Sequence, residues 1–335
     1  MSMIVASRRI AAPTASRERG LTMMELLVTV VILSLLMAGL SQLVVTNSQN
    51  ATATGTLARM ADTGRAAIQL LSADIRRANY MGGYIESLDQ TPEKDGNLGA
   101  SSYAITCAAD TTDWARMVNQ ALVGINAPAD NSPIPYACIT DEDGEQWLRG
   151  DVLTVRYTPT PPVEVGEMIH DRLYLRTTAN QRRLLLFNEE NASAVENGEN
   201  AIEDASVRNF ALAAHSYFVG LTNRTCQGME IPALFRQAIG DGGLPVTQEL
   251  LAGVENLQLR YLVDNRYYDA DDVPLLATGE WQPVDAVEVT VLVRAECPEA
   301  GFDINRTFAL ADVDYTPGDV NFRRQIFTTT IKLRN

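Results

Sequence analysis

The residue pair that most invites a catalytic interpretation is His215-Ser216, since an imidazole beside a hydroxyl supplies the base and the nucleophile of many hydrolases. The sequence contains no Gly-x-Ser-x-Gly turn to expose a nucleophilic serine, and the nearby acidic residues have no spacing that fixes a third partner. We therefore expect His215 to face solvent or to hold an ordinary hydrogen bond. The sequence supports no catalytic residue.

Two acidic segments, residues 141–145 and 269–272, have enough carboxylates to suggest calcium ligands. Neither has the spacing of the roughly twelve-residue EF-hand loop, so we expect solvated acidic turns. Structural zinc is not expected either, because the sequence has no Cys-x-x-Cys pair and only His170 and His215 as imidazole donors. We predict neither a metal nor a cofactor.

Glu25 is a carboxylate in an unusual setting, because it lies within the apolar run from Leu21 to Val45. At about 1.5 Å per residue, a helix of about 25 residues is long enough to cross a hydrocarbon layer of ~30 Å. A charge inside such a segment is unfavourable in lipid and requires a partner, unless it lies hydrated among the headgroups. The run predicts one membrane span with an acid near its start.

Residues 1–20, which precede this run, are basic. They contain four arginines and one glutamate, a net charge of +3, and they end at Gly20. Positive charge on this side predicts that the leader stays in the cytoplasm and that the acidic remainder is exported. The apolar run exceeds the roughly 7 to 15 residues of a secretory signal, so conventional signal cleavage is not expected.

A basic leader ending in Gly20, followed by an apolar stretch with Thr22 in its second position and Glu25 in its fifth, resembles the class III signal of type IV pilins and pseudopilins. The resemblance implies that a prepilin peptidase cleaves after Gly20 and methylates the new amine of Leu21. It also implies that Glu25 neutralises the terminal ammonium of an adjacent subunit. Two charges that are each unfavourable in an apolar bundle then become tolerable as a pair.

A second helical pattern follows the apolar run. Apolar residues recur at intervals of three and four from Leu57 to Ile75, with charged residues between them, which predicts an amphipathic helix. No proline occurs between Leu21 and Arg77, so we expect a single helix of about 57 residues. Gly82-Gly83 is its predicted stop.

Several segments resemble PilW-type minor pilins. The helix end at residues 71–84 has the Asp-Ile-Arg-Arg-Ala stretch of that group, and three later segments resemble the corresponding segments of its members: 250–261, 281–294 and 324–335. Asp74, Arg76 and Arg77 are expected at a solvated helix end, where the helix dipole also favours the two cations.

The remainder of the chain reads as short strands separated by Pro, Gly, Asn and Asp. The predicted strands are 152–157, 172–176, 183–187, 254–263, 284–294 and 324–333. A hairpin is expected around Ala179-Asn180, and residues 250–258 begin with a helix-like spacing. We predict an α+β, type IV pilin-like fold, in which the long N-terminal helix packs on an antiparallel β-sheet domain with an inserted variable region.

The predicted domain organisation has four parts. They are a cleaved leader (1–20), a transmembrane half-helix (21–45), an amphipathic half-helix (46–83) and a mainly antiparallel β domain (84–335) with insertions near 85–150 and 188–245.

The four cysteines, Cys107, Cys138, Cys226 and Cys297, all follow the predicted span and are therefore expected on the oxidising side of the membrane. Two disulfides are expected, and the four cysteines can pair in three ways. We favour Cys107 with Cys138 and Cys226 with Cys297, because pairing each cysteine with its nearest neighbour in the sequence gives the simplest connectivity.

The charge and hydropathy exclude two classes of protein. Lys and Arg total 27 and Asp and Glu total 42, a net charge of -15, which repels phosphate backbones, so no nucleic acid is predicted as a partner. A mean hydropathy of -0.07 excludes a polytopic membrane protein.

Together these features predict a minor pilin of a type IV pilus, not an enzyme. The resemblance implies a single-pass protein of the bacterial inner membrane with a periplasmic body, which enters the pilus fibre or its tip. Its implied partners are other minor pilins, the major pilin and prepilin peptidase. Two alternatives are a J-like minor pseudopilin of a type II secretion system and an anchored periplasmic hydrolase that uses His215.

Overall fold

The computed structural model describes residues 22–82, 98, 113–127, 149–170, 172–177, 184–197, 207–240, 245–277 and 279–333. Its helices are α1 (Met23–Ile75), α2 (Asp113–Arg116) and α3 (Ala192–Asn197). Its strands are β1 (Leu122–Ile125), β2 (Val152–Tyr157), β3 (Leu173–Thr177), β4 (Leu184–Asn188), β5 (Arg208–Ala211), β6 (Ala213–Cys226), β7 (Met229–Ile239), β8 (Pro245–Ala252), β9 (Val254–Val263), β10 (Arg266–Tyr268), β11 (Ala286–Arg294), β12 (Phe308–Leu310), β13 (Val313–Tyr315) and β14 (Arg324–Lys332).

The chain divides into two compact units, Met1–Gly55 and Thr56–Asn335, so the boundary falls within α1. In the first unit, every residue from Thr22 to Asn50 is exposed. This part of α1 is long and apolar enough to cross a membrane. Hydroxyls of Thr29 and Thr46 donate to carbonyls four residues earlier, which satisfies these polar groups within the helix.

In the second unit, the last turns of α1 have one buried face. Its largest core cluster combines Ala67, Leu71 and Ile75 with apolar residues of β2, β6, β9 and β11. Gly64 lies on the same face and is buried, and a Cβ atom at this position would lie 2.2 Å from Cε2 of Phe327 in β14. The absent side chain therefore allows the helix to approach the sheet closely.

The end of α1 differs from the prediction. The helix ends at Ile75, seven residues before Gly82, and Asn79 adopts the left-handed conformation with φ 69°. Asparagine tolerates this conformation better than most residues. The N–H of Asn79 then donates to the carbonyl of Arg156 at 3.2 Å, which connects the helix end to β2.

The strands form four sheets in which all the described pairs are antiparallel. The sheets have the orders β1-β2-β6-β7-β8, β10-β9-β11-β14, β4-β3-β5 and β12-β13. The α+β class is therefore confirmed, as are the six predicted strands with small changes at their ends. The two strands of the predicted hairpin pair antiparallel, with Leu173 of β3 opposite Asn188 of β4, while its turn at Ala179-Asn180 lies outside the described residues.

Residues 188–258 contain strands that the sequence analysis did not identify. The region expected to be an insertion contains β6 and β7, which form a long hairpin whose turn residues Gln227 and Gly228 both have positive φ. The helix-like spacing at residues 250–258 instead covers two strands, because β8 ends at Ala252 and Gly253, with φ +87°, turns the chain into β9.

A disulfide joins Cys226, at the end of β6, to Cys297, just after β11, as predicted. It closes 71 residues of sequence and links strands of the two largest sheets. Cys107 and Cys138 lie outside the described residues, so their pairing stays a prediction.

Replacing Gly64 with alanine should destabilise the protein by about 1–3 kcal/mol, because Phe327 must leave its position to make room for the new methyl group. Gly55→Ala is the matched control in the same helix, since nothing lies within 4 Å of its Cβ position and the change should stabilise by about 0.5–1 kcal/mol. Urea unfolding of the full chain in detergent measures both. Equal stabilisation by the two changes would refute the close contact.

Candidate functional site

The start of α1 places Thr22 and Glu25 together. The N–H of Glu25 donates to the Thr22 hydroxyl at 3.3 Å, and the N–H of Thr22 lies 3.5 Å from Oε2 of Glu25. This reciprocal pattern is a capping box, and it places the carboxylate at the positive end of the helix. No basic side chain among the described residues pairs with Glu25. Gly20 and Leu21 lie outside the described residues, so their roles stay predictions.

Around Glu25 the helix offers only apolar, exposed surface. Met24 is 80% exposed, Leu27 66% and Leu35 69%, and no described residue from Thr22 to Asn50 is buried. A continuous apolar surface of this kind marks contact with lipid or with another protein. The acid and the apolar surface together form a candidate site for association with lipid and with other helices.

The other end of α1 has a second polar site, which we call the Asp74 cluster: Asp74, Tyr157, His215 and Tyr217. Asp74 accepts hydrogen bonds from the Tyr157 hydroxyl at 3.0 Å, from the Tyr217 hydroxyl at 2.5 Å and from Nδ1 of His215 at 2.5 Å. Its side chain is only 9% exposed. The expectation of a solvated Asp74 is therefore wrong, because these three partners come from distant strands.

Strand geometry explains how the cluster forms. His215 and Tyr217 alternate along β6 and share one face, while Tyr157 is the last residue of the neighbouring β2. Between them, Ser216 faces the opposite side, where it is buried and its hydroxyl lies 2.7 Å from that of Thr154. The arrangement separates the serine from the imidazole, and His215 holds a hydrogen bond with Asp74, which is one of the two settings that we expected for it.

The hydrogen bonds decide the charge of Asp74. Burial favours the neutral acid, but the bonds from His215 and Tyr217 outweigh it and lower the pKa of Asp74 below its ordinary value. Burial and the charge of Asp74 both raise the pKa of Tyr217, so this hydroxyl remains a donor. An ionised Asp74 thus links the end of α1 to β2 and β6 near neutral pH.

Two carboxylates of the acidic segment at residues 269–272 contact neighbouring side chains. Asp269 lies 3.6 Å from Arg260, and Asp271 accepts a hydrogen bond from Asn126 at 3.3 Å. In the part of the chain that the structure describes, no group of three His, Cys, Asp or Glu side chains is placed to hold a metal. The segment 141–145 lies outside the described residues.

Two family models match the chain. Residues 216–335 match the model described as Type IV Pilus-assembly protein W, and residues 15–41 match the Prokaryotic N-terminal methylation motif. No curated protein and no solved structure matches the chain significantly. The two matches confirm the resemblance on which the sequence-based prediction rests.

The predicted domain organisation stays a prediction, but the first match covers more of the chain than the segments that carried the resemblance. It begins within β6 and includes residues 216–245, which we had expected to belong to an insertion. It leaves out Asp74, Tyr157 and His215, so three members of the Asp74 cluster lie outside it. A signal for Asp74 was nevertheless present, because it follows Ala67 and Leu71 on the apolar face of the helix at intervals of seven and three.

Asp74→Asn should destabilise the second unit by about 3 kcal/mol at neutral pH, since buried donors lose a charged acceptor. Because the pKa of folded Asp74 lies below 3.8, this stabilisation is complete above that pH and is lost as the pH falls through the lower folded value. Urea unfolding of the wild type and the variant at about pH 7 and about pH 3 should show the difference shrinking.

Asp62→Asn is the matched control, because Asp62 faces solvent on the same helix and forms only an exposed pair with Arg65 at 3.8 Å. Its effect should stay below about 1 kcal/mol. A loss for Asp74→Asn as small as that of the control, or one independent of pH, would contradict the role of the cluster.

Proposed function

Because the chain is a type IV pilus-related pilin of the PilW type, we propose that it acts as a minor pilin, which helps to initiate the filament or is incorporated into it through α1. The observation that carries this proposal is the fully exposed apolar part of α1 with Glu25 near its start. Such a surface needs a partner. The match to the methylation motif, residues 15–41, includes Glu25 and much of this surface.

The proposed mechanism is assembly rather than turnover. In the inner membrane, lipid covers the apolar half of α1, and on entry into the filament other helices replace the lipid. Glu25 then accepts the terminal ammonium of a neighbouring Leu21, so that neither charge is left alone in an apolar bundle. The capping contact with Thr22 holds the carboxylate at the helix start, where it can meet this partner.

The proposed location of the second unit is the periplasm and then the pilus. Arginines before the span favour a cytoplasmic leader, and the disulfide between Cys226 and Cys297 suits an oxidising compartment. Other minor pilins, the major pilin and prepilin peptidase are the proposed partners. We propose no catalytic role, since His215 is hydrogen-bonded to Asp74 and Ser216 faces away from His215.

A J-like minor pseudopilin of a type II secretion system is the alternative, because pilins and pseudopilins share the N-terminal motif. A strain lacking the chain separates the two functions. Our proposal expects loss of twitching motility and surface pili with normal secretion of exoproteins. Normal motility with a secretion defect would assign the chain to secretion.

Glu25→Ala, expressed in that deletion strain, should be processed normally but should enter filaments at least about tenfold less than the wild type, because the neighbouring ammonium loses its partner. Immunoblots of sheared filaments and of membranes measure incorporation and processing. Ser34→Ala is the matched control, since it changes an exposed polar residue in the same helix without removing a charge. Normal incorporation of Glu25→Ala would contradict the pairing.

A further inference from the structure

A cavity of about 160 Å³ lies between the β6–β7 hairpin and the four-stranded sheet. The apolar part of its wall consists of Leu221, Met229 and Pro232. The polar part consists of two arginines, a tyrosine and three acids: Arg149, Arg294, Tyr315, Glu230, Glu255 and Asp319. Small-molecule sites usually measure roughly 300–1,000 Å³, so this cavity suits a group of side-chain size.

Arg294, in β11, is a buried cation with few hydrogen bonds. Its side chain is 6% exposed, and its guanidinium stacks over the ring of Phe322 at 4.1 Å from the centroid. Its Nη2 donates to the carbonyl of Glu230 at 2.5 Å, while Nε is buried without an acceptor among the described residues. The carboxylates of Asp319 and Glu255 lie 3.7 and 4.0 Å from Nη1, beyond hydrogen-bonding distance.

Arg149, which also lines the cavity, is a second arginine with few hydrogen bonds. Its guanidinium donates to the hydroxyl of Tyr315 and lies 5.0 Å from the centroid of that ring. Its Nε is also buried without an acceptor, and no carboxylate of the described residues pairs with it. A guanidinium has about five N–H donors, and each of these two donates one hydrogen bond to an acceptor among the described residues.

The acids around the cavity do not satisfy these donors. Glu255 is held by Arg324, whose Nε and Nη2 lie 2.6 and 3.0 Å from its two oxygens, and it also accepts from the hydroxyl of Tyr315 at 3.1 Å. Glu230 is exposed, and the Asp319 side chain is 43% exposed, so water screens both charges. Among the described residues, no carboxylate lies within hydrogen-bonding distance of the Arg149 or Arg294 guanidinium.

We propose that this cavity binds the carboxylate of an Asp or Glu side chain from a neighbouring subunit, with Arg149 and Arg294 as its donors. The planar fork of arginine matches the two oxygens of a carboxylate. The apolar wall covers the methylene groups of the entering side chain, which favours a side chain over a small free acid. The choice of a subunit as the source rests on the proposed role in filament assembly.

The test uses the full chain in detergent, labelled with ¹³C at its methionine methyl groups, because Met229 lines the cavity. Met229→Leu assigns the signal. Titration with the tripeptide acetyl-Gly-Glu-Gly-amide should shift the Met229 signal with saturation, and the Gln tripeptide should not. Arg149→Gln should weaken this binding at least tenfold, whereas Arg266→Gln, an exposed arginine stacked on Tyr268, should leave it unchanged.

The other methionine signals report whether each variant is folded. If Arg149→Gln does not fold, Arg149→Lys keeps the charge without the fork and should still weaken binding. Absence of a saturable shift would overturn the site, and saturation by glutarate but not by the tripeptide would overturn the subunit as its source. These measurements need no filament, so their failure is distinct from failure of the assembly role, which Glu25→Ala tests.

Discussion

The structure depends on one constraint: the apolar half of α1 has no cover within the part of the chain that is described. Burial of each large aliphatic side chain contributes about 1.5–3 kcal/mol, so a helix that exposes many of them must associate with lipid or with other apolar helices. The same surface contains Glu25, whose charge needs hydration at the headgroups in lipid and a partner of opposite charge in an apolar bundle. This combination of an apolar surface with one acid is the basis for the proposed association through the helix.

In the second unit, the remaining turns of α1 pack on the β-sheets. Apolar packing of Leu71 and Ile75 supplies the burial, and Gly64 allows the close approach to β14. The Asp74 cluster adds directional hydrogen bonds, since three donors from two strands converge on one carboxylate. A buried acid is unfavourable alone but specifies a single arrangement when all its partners are present.

The features that could be predicted from the sequence are those that depend on local patterns. These features include the apolar helix at residues 21–45, the amphipathic turns after Leu57 and the strands rich in branched residues. The β6–β7 hairpin was missed because buried polar residues, such as Ser216 and Gln237, interrupt its alternation. The partners of Asp74 were also out of reach, because Tyr157 and His215 lie 83 and 141 residues further along the chain.

The most direct test of the central claim is the mass of the N-terminal peptide of the mature protein, isolated from membranes and from sheared filaments. The account predicts a chain that begins at Leu21 with a methylated amine, because only a chain cleaved there presents its ammonium next to the Glu25 of a neighbour. A mature chain that retains the arginine-rich leader, or one that begins at any other residue, would contradict it.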